Sequence, residues 1–230
     1  LAYDVLLHYS APFMMVLLGV ILACAGMALR ASRFMNWIAF GYLLTGLSLG
    51  LQSFMTNQDL AIFAPLANVL YLGGAAATIR GVGLRCGDGW HRKAFVWAIG
   101  AVCVLNAARL AYLDDNLVMR ILSLNVTLGL IYLSQLPYLI QRWNCLSTLD
   151  RLMGFTAVQV ALFHFLRAAY VGQEGLQLLD PQAFVANLTQ SMHWKVLLAC
   201  SVVLSLWFGA LALTCAVRER FTGSMVRHSA

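Results

Sequence analysis

A chain of 230 residues, 61% of them hydrophobic and only 10% charged, lacks the polar material to cover a soluble core of that size. The composition excludes a soluble globular fold and points to an all-α integral membrane protein whose first partner is the lipid bilayer. Its formal charge of +6 does not indicate nucleic acid as a partner, because the basic residues sit in short loops beside apolar runs instead of forming a patch with interleaved aromatics.

In chain order, the opening LAYDVLLHYS is too short and too acidic for a cleavable signal. Residues 1–10 read as a short extracytoplasmic lead-in, with Ser10 and Pro12 starting the first helix. Seven apolar runs then follow, at about 11–29, 34–54, 61–80, 93–113, 117–140, 151–171 and 192–217, each long enough to cross about 30 Å of hydrocarbon. Residues 11–217 are thus expected to form a seven-transmembrane-helix bundle, with a cytoplasmic juxtamembrane tail over 218–230.

The connections set the orientation. Arg30 and Arg33 follow span one, and Arg80, Arg85, Arg92 and Lys93 follow span three. Arg142 and Arg151 flank the loop after span five, and Arg218, Arg220 and Arg227 follow span seven. These are eleven of the 15 lysines and arginines, whereas Asp4, Asp59, Asp114, Asp115, Glu174 and Asp180 fall on the other side. The positive-inside rule then places the N terminus outside and the C terminus inside. In the longest connection, Asp180 and Pro181 predict the cap and first residue of a short interfacial helix. Cys24, Cys103, Cys200 and Cys215 lie in apolar runs and Cys86 and Cys145 in basic loops, with no metal or redox spacing, so all six read as reduced thiols.

The polar residues within the spans concentrate near one depth. Taking about 1.5 Å per residue, Asn68, Asn106, Asn125 and His164 fall about 10–12 Å below the outer face. Arg109, Arg120 and Arg167 lie above them, close enough to reach the headgroups, as a histidine cannot. Two readings stay open. The asparagines and His164 bond across helix contacts while the arginines anchor at the interface; or His164, Arg167, Asn106, Arg109, Asn125, Asn68 and Arg120 bind a small anionic or lipid-like ligand. Span seven carries Ser201, Ser205 and Gly209 as a strip of small side chains, for packing within the bundle or across a homodimer. Gly46 and Gly50 in span two indicate close packing there too.

Other chemistry finds less support. A retinal site needs a lysine in mid-span seven and a buried carboxylate, but Lys195 is at the start of that span and no acid falls mid-span. His164 and His193 lack a metal-binding spacing, so no metal and no cofactor is expected. There is no catalytic carboxylate pair, no nucleophile with a base and no phosphate loop in a strand-to-helix context, so no catalytic residue is assigned. The rival functions are a haem- or quinone-binding redox protein near His164 and a small-molecule carrier; the latter is disfavoured because no inverted repeat or paired broken helices are evident.

The segments MNWIAFGYLLTGLSLGLQ, PLANVLYLGGAAATIRGVG, NAARL and RERF, in that order, extend the reading. Together the chain resembles the seven-helix sensor regions of bacterial diguanylate cyclases, the GGDEF-domain proteins, and of related sensor kinases. The resemblance covers about residue 4 to residue 221 and rests on helix lengths and scattered residues. It implies a dimeric receptor in the bacterial inner membrane that senses a ligand and signals through cyclic di-GMP. No GGDEF sequence occurs up to Ala230, so the implied output domain would lie beyond this chain.

Overall fold

The computed structural model describes residues 2–29, 33–54, 57–86, 92–114, 116–177 and 191–228. Its elements are helical: α1 (Ala2–Ala28), α2 (Arg33–Phe54), α3 (Asn57–Cys86), α4 (Lys93–Tyr112), α5 (Leu117–Leu133), α6 (Leu136–Arg142), a 3-10 turn (Trp143–Cys145), α7 (Thr148–Gln177) and α8 (Met192–His228). Seven spans are long and apolar enough to cross a membrane, with α5, α6 and the 3-10 turn forming one of them. Asp115, Asp180 and Pro181 lie outside the described residues.

Several helices extend beyond the predicted spans. α1 begins at Ala2 and runs through Pro12, and its apolar span starts at Ser10. The fifth span is interrupted, because Pro137 lacks an amide hydrogen and cannot continue the α5 ladder. The chain instead tightens there, with the Ser134 N–H and Oγ both donating to the Ile131 carbonyl at 3.1 and 2.6 Å. α7 continues to Gln177, beyond the predicted end at 171, and α8 continues to His228.

Each helix from α1 to α5 packs on its neighbour in the chain, α5 packs on α7, and α8 closes the ring against α7 and α1. α3 also touches α5 and α7, which makes it the central helix. One core joins Leu22, Phe34, Met35, Ile38, Met153, Phe208 and Cys215; a second joins Leu72, Ile79, Val96, Leu128, Ile131 and Ala157. The outward faces carry exposed apolar side chains such as Met27, Trp97, Leu105 and Val203. Such surface suits a bilayer better than water.

Without a hydrophobic force between helices inside a bilayer, close packing depends on small residues. α2 and α3 meet backbone to backbone: a Cβ on Gly41 would stand 2.7 Å from the Gly74 carbonyl oxygen, and one on Gly74 would stand 2.9 Å from that of Gly41. α5 meets α7 at Gly129, where a Cβ would stand 2.7 Å from the Phe165 ring. Gly46 packs as expected, against Val16 of α1, but Gly50 has open space beside it.

Candidate functional site

Gly129 lets α5 and α7 approach closely, and one turn away Asn125 reaches His164. The Asn125 Oδ1 and His164 Nδ1 lie 3.2 Å apart, both residues buried. The amide orientation follows from its other contact: Nδ2 donates to the Ile121 carbonyl at 2.8 Å, which leaves Oδ1 to accept from the ring. His164 therefore donates through Nδ1. Its ring stacks on Tyr132, with centroids 5.9 Å apart, and meets Phe163 edge-on.

His164 forms part of the wall of a cavity of about 100 Å³. α7 contributes Val160, Phe163, His164 and Arg167, and α8 contributes Leu198, Ser201, Leu204 and Ser205. Met15, Thr45, Leu49, Tyr71, Leu128 and Tyr132 are among the residues that α1, α2, α3 and α5 add to the wall. A second cavity of about 50 Å³ shares Met15, Thr45, Tyr132, Val160 and Ser205 and extends the space to Tyr42, Thr78 and Phe208. There the Tyr42 hydroxyl donates to the Ser205 carbonyl, joining α2 to α8.

Arg167 does not simply extend to the membrane surface. Its guanidinium lies over the Trp194 ring at 4.7 Å and near the Phe163 ring at 6.0 Å. Its Nε is buried and has no hydrogen-bond partner among the described residues. Trp194 stacks on Tyr170, whose hydroxyl is 2.6 Å from Ser191 Oγ, so this end of α8 is fastened to α7.

The seven predicted ligand residues separate. His164 and Arg167 line the cavity, and Asn125 stands behind His164 as its hydrogen-bond partner. Asn106 and Arg109 do not reach it, because α4 packs on α3 and α5 and contributes nothing to the wall. Arg109 instead pairs with Asp114 at 2.8 Å on the exposed surface. Asn68 and Arg120 are buried on α3 and α5 but do not line the cavity. With the α7 span reaching Glu174, His164 lies about 15 Å along the helix from that end. Ser201 and Ser205 face the cavity, and Gly209 faces Leu18, Leu22 and Tyr42, so the small-residue strip looks into the bundle.

Sequence reasoning missed Tyr71 and Tyr132. Tyrosines in membrane helices concentrate at the interfaces, and about 22 Å separates Tyr132 from the start of α5. A tyrosine that deep was the available signal.

The basic end of the bundle holds a second cluster, not anticipated as one. Arg85 of α3 donates from Nε to Asp150 Oδ1 of α7 at 2.7 Å and from Nη1 to Glu219 Oε2 of α8 at 3.3 Å. Its guanidinium lies over Phe34 of α2. Asp150 is itself placed by Ser147 at the start of α7: its N–H donates to Ser147 Oγ at 3.3 Å, and that hydroxyl donates to Asp150 Oδ2 at 2.5 Å. One arginine thus fastens three helices around the exit of α8. Beside it, Arg220 Nη1 donates to the Ala28 carbonyl at the end of α1.

Among the described residues no group of three or more His, Cys, Asp or Glu is placed to hold a metal ion. Comparison with protein-family models, curated proteins and solved structures finds no match.

Proposed function

We propose that this chain is a membrane-embedded sensor that binds a small polar, anionic or lipid-like ligand between α7 and α8 and passes a movement of α8 to a cytoplasmic output domain. One observation carries the reading. α8 contributes Ser201 and Ser205 to the cavity wall and, about 21 Å further along the helix from Ser205, presents Glu219 to Arg85. A ligand that shifts or rotates α8 at the cavity therefore changes the geometry at the clamp. Because an ion pair is made or lost over small displacements, the clamp is suited to convert such a shift into two distinct states.

In this reading the basic end faces the cytoplasm of a bacterial inner membrane and the receptor works as a homodimer. The output is a diguanylate cyclase, as in the sensor regions that the sequence resembles. The experiment is a distance measurement. Spin labels at Asn144 and Arg218, both exposed at the basic end, report the position of α8 in a background without other reactive cysteines. Adding a small-molecule extract of the host cell should shift the distance distribution in the otherwise unmutated protein and leave the Arg167→Gln variant unmoved. No shift in either would refute the sensor reading.

A further inference from the structure

We propose that the cavity between α7 and α8 is a binding site for a monocarboxylate of two or three carbons, held by Arg167. The proposal deepens the sensor reading and rests on it for the consequence of binding.

Charge comes first. Arg167 Nε is a buried donor with no hydrogen-bond partner among the described residues, and a buried donor left in that condition is costly. Among the described residues no acidic side chain lines the cavity, so they present one fixed positive charge and no negative one. A single anionic group complements it; a doubly charged phosphate would bring one charge too many.

Shape points the same way. A guanidinium seated over the Trp194 and Phe163 rings has limited freedom to turn. Its Nε and one Nη then form a fixed pair of parallel donors, the arrangement that a carboxylate accepts in bidentate fashion. Ser201 and His164 supply further polar wall, while Met15, Leu128, Val160 and Leu198 suit a short alkyl end.

Volume sets the size. Since a cavity of about 150 Å³ accommodates benzene, the 100 Å³ here takes a ligand of about four or five non-hydrogen atoms. Acetate and propionate have that size. A quinone headgroup and a haem do not.

The test is calorimetric titration of sodium propionate into the protein in lipid nanodiscs at constant ionic strength. Propionamide, of the same shape without charge, pivalate, of the same charge but bulkier, and inorganic phosphate serve as comparators. Propionate should bind saturably, and each comparator at least tenfold more weakly. Arg167→Gln should lower propionate affinity at least tenfold, Arg167→Lys by less, and Arg109→Gln not at all. Ser201→Leu, which fills the cavity, should abolish binding and decides the matter if Arg167→Gln does not fold.

The proposal is overturned if propionate does not bind, if any comparator binds as well, or if both Arg167→Gln and Ser201→Leu bind like the unmutated protein. Should the cell extract move α8 while propionate fails to bind, the ligand class falls and the sensor reading stands.

Discussion

Asn125 and His164, on different helices and 39 residues apart, form a buried hydrogen bond of 3.2 Å that fixes the imidazole at the cavity wall. His164→Leu leaves the Asn125 oxygen without its partner, and an unsatisfied buried acceptor costs about 1–3 kcal/mol. The double variant Asn125→Leu, His164→Leu should lose less than the sum of the two single losses, since neither partner is then stranded. Thermal unfolding of the four proteins in detergent checks this; strictly additive losses would show that the two side chains do not interact.

The clamp at the basic end predicts an ordered pair of effects. Asp150 is the more enclosed partner of Arg85, with its side chain 11% exposed against 39% for Glu219. Asp150→Asn should therefore destabilise the bundle by about 1.5–3 kcal/mol, the scale of a hydrogen bond to a charged group, and Glu219→Gln by less. Glu219→Gln should instead widen the Asn144 to Arg218 label distances without ligand. A larger stability loss from Glu219→Gln than from Asp150→Asn would contradict the geometry.

Glycine contacts give a sharper contrast. Gly74→Leu drives a side chain into the backbone of α2 and should abolish folding or cost more than about 3 kcal/mol, beyond the usual range of overpacking. Gly50→Leu meets open space and should be tolerated. Yield of folded protein and its melting temperature read both, and equal tolerance would mean that α2 and α3 do not cross as described.

Orientation is testable in cells. A reporter active only in the cytoplasm should work when fused after Arg85 or Arg142 and fail after Asp115 or Glu174, following the distribution of the basic residues. The reverse pattern would place the clamp outside and remove its proposed link to a cytoplasmic output.

The helices were legible in the sequence because a span announces itself by length and hydropathy, whereas the break at Pro137 was concealed by the run of apolar residues around it. His164 and Arg167 were legible as a pair because they share a helix, where spacing fixes the face. Asn106 and Arg109 show the difference between depth and direction: depth along a helix follows from counting, whereas the direction it faces depends on its neighbours. The Arg85 clamp was not legible at all. Its partners lie 65 and 134 residues away, and a loop arginine near a membrane already has a sufficient explanation in topology.

The central claim, that the space between α7 and α8 is a ligand site, is tested most directly by a crystal structure of the protein grown from lipidic mesophase with propionate. The account predicts non-protein density in the cavity, within hydrogen-bonding distance of Arg167 Nε. A structure with Arg167 turned out to the lipid headgroups and the cavity closed by Met15 and Leu198 would contradict it.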